Sequence, residues 1–414
     1  MTALLDHRRW GLAVILGLAI LLSGCSGNES VAPPRPAGDS SDTRVVAAQR
    51  TLTDLTAALA AHRGDDASAL ATARAHPIVA ALVANVATLD LTDLSMRVVD
   101  DETALSASDR DRYGAAAWAG TVELAYRVTG WDDNPTRLET RFVFQTQGGR
   151  ALVAGVGGGD DRTPLWTTGP VTKLVAGRAL VITSGTDGER YRDLARQALV
   201  DVGKVLPGWH GRLVVEAPAT EEQLDQALDA PEEQYANIAA VTTTVDGSLV
   251  PGSPVHVFLN PRVFDPLGPR GAQVVLSHET THVATNATFA EMPTWLLEGF
   301  ADYVALAHAG IPVGTAASQI LARIRKEGPP DHLPTAAELD PTANGLGATY
   351  EEAWLATRFL ALQYGEDKLV AFYRAVSAGE AVGTAFRHLL GTTEEAFVTR
   401  WRADLRHLAG GVAG

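Results

Sequence analysis

The segment His278-Glu279-Thr280-Thr281-His282 constrains this chain more than any other part of its sequence. It continues the stretch 273–276, which is mostly apolar and can form a helix. Residues four apart lie on one face of an α-helix, so the imidazoles of His278 and His282 can reach the same ion. Glu279 lies roughly a hundred degrees around that helix, where its carboxylate can face the ion's remaining ligand without binding the metal. Zinc suits this arrangement because it favours nitrogen ligands in a tetrahedral shell.

A second apolar segment, 295–303, follows after Pro293 and a short loop. We expect it to form a helix that folds back against the first and presents Glu298 as a third metal ligand. Asp302 comes four residues later on the same face, where its carboxylate could orient a ligand histidine through the free ring N–H. Unpaired buried carboxylates are costly, and metal and histidine partners would remove that cost.

Together the two segments resemble a known catalytic signature. The pattern His-Glu-x-x-His, followed by Trp-Leu-x-Glu-Gly-Phe-Ala, resembles that of aminopeptidase-N-like enzymes and of the broader peptidase MA-like gluzincins. The spacing from Glu298 to Asp302 is similar to thermolysin's, and the resemblance covers about 255–360. It implies a zinc metallopeptidase in which His278, His282 and Glu298 bind Zn²⁺ and Glu279 is the general base. A peptide or protein would then be the substrate.

One departure from the family concerns substrate specificity. The Gly-x-Met-Glu-Asn motif, which holds the free amino terminus of substrates in aminopeptidase-N relatives, is absent. An endopeptidase is therefore favoured over an aminopeptidase.

Two other interpretations stay open from the sequence. The histidines could belong to an ordinary helix bundle. The protein could also be a catalytically inactive, zinc-binding envelope lipoprotein with a binding or assembly role. A structural zinc normally has four protein ligands, whereas the sequence offers three and leaves a position for water. That count favours the enzyme.

Three further residues are candidates for the site. Tyr350 is a candidate donor to the reaction's oxyanion, because gluzincins often place a tyrosine at the start of a later helix. An ordinary tyrosine at a helix start explains it equally well, and Tyr303 is a weaker second choice. The segment 254–260 resembles the edge strand that pairs with an extended peptide in zincins. His256 could line the cleft, but alternation along that strand favours an outward-facing polar residue.

The amino terminus has the features of an export signal. Arg8 and Arg9 precede an apolar stretch, 10–22, that is too short to span a membrane. The stretch ends in Leu22-Ser23-Gly24-Cys25, which resembles the lipobox of bacterial lipoproteins. The resemblance implies cleavage before Cys25, lipid on that residue, and an extracytoplasmic location on the cell membrane. A secretory signal with a chance cysteine is the alternative, and a chain with a single cysteine has no internal disulfide.

Charge limits the partners of the protein. A formal net charge of −15 argues against nucleic acid, because its phosphates would be repelled. It argues equally against a polybasic membrane patch. Any membrane attachment is therefore expected to come from the lipid on Cys25.

The order of elements predicts an α+β fold. A helix over 44–62 and strands at 122–128 and 141–145 suggest an N-terminal module that resembles cystatin-like or nuclear-transport-factor-like folds. Further strands precede a mostly helical region from 271 onward, which is typical of a zincin-like catalytic domain with a helical C-terminal half. We therefore predict four parts: a signal peptide at 1–24, a lipid-anchored flexible linker at 25–42, an N-terminal α+β domain at 43–177, and a gluzincin-like domain at 178–411.

Overall fold

The computed structural model describes residues 40–101, 105–231, 234–340 and 343–411. The predicted signal peptide and Cys25 lie outside these residues. In the described part, an antiparallel sheet with helices is followed by a second, mixed sheet and then by helices. The predicted order of an antiparallel sheet before a helical C-terminal half is therefore confirmed. No helix among these residues is both long enough and apolar enough to cross a bilayer.

The N-terminal module combines helices with a four-stranded antiparallel sheet in the order β1-β2-β3-β4. Its helices are α1 (Ser40–Ala60), α2 (Gly64–Ser68), α3 (His76–Leu89) and α4 (Ala107–Tyr113), and its strands are β1 (Leu91–Asp100), β2 (Ala117–Val128), β3 (Thr136–Gln147) and β4 (Arg150–Val156). The helical spacing of Leu52, Leu55 and Leu59 predicted α1, and all three side chains are fully buried. They are buried because α1 packs on β1 and β4.

The sequence pattern did not reveal strand β1. Its register against β2 shifts between Thr92 and Ser95, and Asp93 between them has a positive φ of 54°. Such irregularities break the alternation by which a half-buried strand is recognised. The order of a helix followed by a sheet agrees with the expectation, whereas the likeness to cystatin-like or nuclear-transport-factor-like folds stays a prediction.

The second sheet has five strands in the order β5-β6-β7-β9-β8. The strands are β5 (Thr172–Ala176), β6 (Ala179–Thr183), β7 (Leu213–Ala217), β8 (Ala240–Thr244) and β9 (Val255–Leu259). The pairs β6/β7 and β7/β9 are parallel, and the outer pairs β5/β6 and β8/β9 are antiparallel. This sheet begins at Thr172, within the segment that we assigned to the N-terminal domain.

The strand order corrects one expectation from the sequence. The segment 254–260, which we expected to be the edge strand, contains β9 and lies between β7 and β8. The outermost strand on that side is β8, which folds back antiparallel on β9. Sequence order cannot show which arm of such a hairpin lies outside.

Helices make up the rest of the chain. Helix α5 (Leu165–Thr168) precedes the second sheet, and two helices lie among its strands: α6 (Gly188–Val205) and α7 (Glu221–Leu228). The others follow the sheet: α8 (Pro261–Phe264), α9 (Pro269–Thr285), α10 (Thr294–Ala307), α11 (Val313–Ala316), α12 (Ser318–Glu327), α13 (Leu346–Tyr364), α14 (Glu366–Ser377), α15 (Val382–Leu390) and α16 (Glu394–Ala409). The helical region from α10 onward encloses its own apolar core around Phe300, Phe372 and Trp401.

The second sheet is covered on both faces. Successive side chains of a strand point to opposite faces, and in β6 Leu180 and Ile182 pack with the N-terminal module whereas Val181 packs with α6 and α9. In β9, Phe258 likewise packs with the N-terminal module, and Val257 packs with α6 and α9. Burial on both faces explains why these strands are continuously apolar rather than alternating.

His256 is buried, which corrects the expectation of an outward-facing side chain. It is 1% exposed and lies on the face of β9 that the N-terminal module covers. Its Nε2 atom lies 3.0 Å from Oδ1 of Asp132, and its Nδ1 atom lies 2.8 Å from Oε1 of Glu216 in β7. Burial by itself disfavours the charged ring, but the two carboxylates raise the pKa of His256 to about 10. An imidazolium between two carboxylates therefore joins the N-terminal module to the second sheet.

Candidate metal centre

Helix α9 carries the two histidines. It begins with Pro269 directly after Gly268, a position where the missing N–H of proline costs no helical hydrogen bond. It ends at Thr285, and the next residue, Asn286, adopts the left-handed conformation that stops a helix. The Nε2 atoms of His278 and His282 lie 3.0 Å apart, with their rings almost perpendicular. The predicted pairing of these two side chains on one helix face is present.

Helix α10 brings the third donor. Its residue Glu298 is 2% exposed, and its Oε2 atom lies 3.2 Å from Nε2 of His278 and 3.6 Å from Nε2 of His282. One donor atom from each of the three residues lies within 4.8 Å of the other two. A single ion can therefore contact all three side chains.

Gly299 allows α10 to reach this position. A Cβ atom at Gly299 would lie 2.4 Å from the carbonyl oxygen of Ala353 in α13, closer than real atoms approach. The hydroxyl of Thr357, also in α13, donates to the carbonyl oxygen of Gly299 at 2.7 Å. Direct backbone contact between α10 and α13 thus sets the depth at which the neighbouring Glu298 lies.

Asp302 contacts one of the two histidines, at the place expected from its spacing. Its Oδ1 atom lies 2.7 Å from Nδ1 of His278. An Nδ1–H donated to this carboxylate leaves Nε2 as the nitrogen that is available to a metal. Burial disfavours the protonated ring, but the carboxylates of Asp302 and Glu298 hold the pKa of His278 well above its ordinary value. A cation, either a proton or a metal ion, is therefore strongly favoured here.

Glu279 lies in the same cleft as the three donors, and its carboxylate has a partner that the sequence did not indicate. The hydroxyl of Thr242 in β8 lies 2.7 Å from Oε2 of Glu279. No spacing rule connects residues so far apart in the chain, so sequence reasoning missed Thr242. Its position on the edge strand beside α9 is a consequence of the strand order alone.

Tyr350 lines the cleft, whereas Tyr303 is used elsewhere. The Tyr350 side chain is largely buried, and it shares the cleft with the metal donors and Glu279. Burial, reinforced by the carboxylates of Glu298 and Asp302, raises the pKa of Tyr350 well above its ordinary value. Its hydroxyl therefore stays protonated. The Tyr303 hydroxyl donates to Glu366 at 2.7 Å, which accounts for that side chain without a role in the site.

The cleft has a volume of about 430 Å³. It is lined by the edge strand β8 with the residues just before it, by α9 and α10, and by the start of α13. Besides the donor residues, its lining is mostly apolar and contains no lysine or arginine among the described residues: Ile238, Val274, Val275 and Leu346 supply large apolar side chains.

The donor set fits a catalytic zinc ion. Two imidazoles and one carboxylate are the ligands of a well-known class of zinc hydrolases, in which a fourth position stays open for water or substrate. A structural site normally has four protein ligands, and within the described ranges the group contains only His278, His282 and Glu298. The residues present can thus hold zinc and leave a coordination position for chemistry.

Neither a protein-family model nor a curated protein matches this chain. Three solved structures that it matches are M1 zinc metallopeptidases. Two, described as two-domain enzymes bound to L-arginine and to L-tryptophan, are 17% and 16% identical, with TM-scores of 0.33 and 0.31. The match covers 70% of this chain and 61% of each of theirs, so the chain spans less than two thirds of their length.

The third is an M1 zinc metallopeptidase from Deinococcus radiodurans, bound to a Tyr-Ser-Ala substrate. It is 17% identical with a TM-score of 0.31, and the match covers 75% of this chain and 69% of that one. TM-scores this low do not define a shared fold.

Proposed function

We propose that the protein is a zinc-dependent peptidase in which His278, His282 and Glu298 hold the metal. The observation that carries the proposal is the convergence of three donor atoms within 4.8 Å in one cleft. Glu279, a carboxylate that is not among those donors, lies in the same cleft. A structural site has no need of such a carboxylate, whereas hydrolysis needs a base beside the metal.

Glu279 acts as the general base. When bound, zinc lowers the pKa of its water ligand toward about 7 and polarises a carbonyl group. The carboxylate of Glu279 accepts a proton from the attacking water and later returns it to the leaving amine. Asp302 keeps His278 in the tautomer that offers Nε2 to the metal.

Tyr350 donates a hydrogen bond to the oxyanion that forms when water adds to the peptide carbonyl. Its raised pKa supports this role, because a donor must keep its proton. Its place in the cleft with the metal donors supports the role as well.

The substrate is an extended peptide that binds beside β8. This strand lies at one edge of the described sheet and lines the cleft, and main-chain hydrogen bonding to an edge strand requires little sequence preference. Cleavage inside a chain fits the lining better than removal of terminal residues. Among the described residues of the cleft, no basic side chain is present to hold the terminal carboxylate of a peptide. The three acidic side chains of the lining, Glu279, Glu298 and Asp302, already have roles in the proposed site, so they are not available to hold a terminal amine.

The protein acts outside the cytoplasm, attached to the cell membrane through lipid on Cys25. This part of the proposal is supported by the lipobox-like sequence before Cys25. Mass spectrometry of the membrane fraction tests it by detecting an acylated Cys25 at the amino terminus, and a full-length, unlipidated chain contradicts it.

The test of the main proposal measures metal and turnover together. The purified protein is expected to contain one zinc ion per chain and to cleave members of a peptide library until a chelator is added. Glu279→Gln should keep the zinc and lose turnover, and His278→Ala should lose both. His308→Ala, which removes an exposed histidine at the end of α10, is the matched control and should change neither.

A wild-type protein without zinc contradicts the metal site. Zinc without turnover of any peptide contradicts the peptidase and favours an inactive, zinc-binding envelope lipoprotein. Full activity in zinc-loaded Glu279→Gln contradicts the assigned base.

A further inference from the structure

Thr242 is a residue of the edge strand whose side chain contacts the proposed general base. Its Oγ1 atom lies 2.7 Å from Oε2 of Glu279 and 3.1 Å from the carbonyl oxygen of the same residue. A hydroxyl has one proton to donate, and the carboxylate is both the nearer and the stronger acceptor. Glu279 is 8% exposed, so solvent competes little for this contact.

The orientation of Thr242 follows from the sheet. Ala240, two residues earlier in β8, packs in the core between the sheet and α9, whereas Val241 packs on the opposite face. Thr242 has the same parity as Ala240 and therefore faces α9. Its hydrogen bond ties the edge strand to the helix that carries both histidines.

We infer that Thr242 is a positioning residue for Glu279. By binding Oε2, its hydroxyl restricts the rotation of a long side chain and leaves Oε1 to face the cleft. Holding a reacting group in its working geometry lowers the entropy that must be lost in the transition state. This inference rests on the proposed function, because it assigns Thr242 a role through the base of that reaction.

The position of Thr242 gives the contact a second consequence. Thr242 belongs to the strand along which we place the substrate, and it pairs with Val257 of β9 on the other side. The residue that orients the base is thus part of the wall that binds the peptide. Substrate binding along β8 and the orientation of Glu279 are linked through one side chain.

The test compares Thr242→Val with Thr242→Ser in zinc-loaded protein. Valine keeps the branched shape and removes the hydroxyl, whereas serine keeps the hydroxyl. Loss of one hydrogen bond to a charged group should lower kcat about tenfold in Thr242→Val, with KM and zinc content unchanged. Thr242→Ser should retain most of the wild-type kcat. Thr399→Val, which removes an exposed threonine hydroxyl in α16 away from the cleft lining, is the matched control and should behave as wild type.

A crystal structure of each zinc-loaded protein gives a readout that does not depend on turnover. The Glu279 carboxylate should leave its wild-type position in Thr242→Val and keep it in Thr242→Ser. An unchanged carboxylate, a wild-type kcat in Thr242→Val, or an equal loss in both variants overturns the inference. Absence of turnover in the wild type contradicts the proposed function instead, and the crystallographic comparison still decides the role of Thr242.

Discussion

The Nδ1 atom of His278 lies 2.7 Å from Oδ1 of Asp302, one helical turn beyond Glu298 on the same helix. Helix α10 therefore supplies both a metal donor and the carboxylate that orients a donor on α9. This arrangement uses two acidic residues that would otherwise be costly to bury.

Removing the Asp302 carboxylate should weaken metal binding without abolishing it. We expect Asp302→Ala to lower zinc affinity about 10- to 100-fold, because His278 loses the partner that selects its tautomer and fixes its ring. Competition with a chelator of known affinity measures the change. Glu291→Ala, at an exposed position, is the control, and an unchanged affinity in Asp302→Ala would contradict the assigned role.

Tyr350→Phe should lower kcat about 100-fold or more while KM changes little, because an oxyanion donor acts mainly in the transition state. Steady-state kinetics on one peptide substrate measure both constants. Tyr303→Phe provides the matched control, since its hydroxyl binds Glu366 rather than the cleft. Equal kcat and KM values in the two variants would rule out Tyr350 as the donor to the oxyanion.

Gly299→Ala should destabilise the protein and reduce its zinc content. The added methyl group would overlap the Ala353 carbonyl oxygen and force α10 away from α13, at a cost of about 1–3 kcal/mol or more. Gly203→Ala in α6 is the matched control, because the added Cβ would have no atom within 4 Å besides its chain neighbours and the nearby backbone of its own helix. Gly203→Ala should raise the free energy of unfolding by about 1 kcal/mol, because alanine has the higher helix propensity. Thermal unfolding and metal analysis of both variants test the difference.

The buried His256 cluster predicts a specific dependence of stability on pH. The folded-state pKa of about 10 lies above the ordinary value of 6.5, so the protonated ring contributes stability that is fully present below about pH 6.5. That contribution is lost as the pH rises through about 10, by on the order of 1 kcal/mol per pH unit.

Denaturant unfolding of wild type and His256→Gln between pH 6 and 10 measures this contribution. The wild type should be the more stable protein at pH 6, and its advantage should shrink as the pH rises. A difference in unfolding free energy that stays constant over this range would show that His256 does not change its protonation on unfolding.

The residues of the metal centre were predictable because their geometry is local. His278 and His282 are four residues apart on one helix, and the same spacing relates Glu298 to Asp302 on the next. The helix α1 and the strands β2, β3 and β9 were likewise expected from their sequence patterns. Short-range periodicity predicts these features without any knowledge of the contacts that the rest of the chain makes.

The environment of the centre depended on contacts between distant segments. Sequence order did not show that β8 rather than β9 forms the edge of the second sheet. For that reason Thr242 was not predicted as a partner of Glu279. His256 was expected to face outward because an alternating strand usually has one solvated face, but here the N-terminal module covers that face.

The sequence by itself determined which side chains can bind a metal, since helical spacing alone brings them to one face. Only the tertiary structure decided the depth of Glu298, which depends on the contact of Gly299 with α13. It also decided the partner of Glu279 and the burial of His256. Strand order and the packing of layers set these features, and both arise from the whole chain rather than from any one segment.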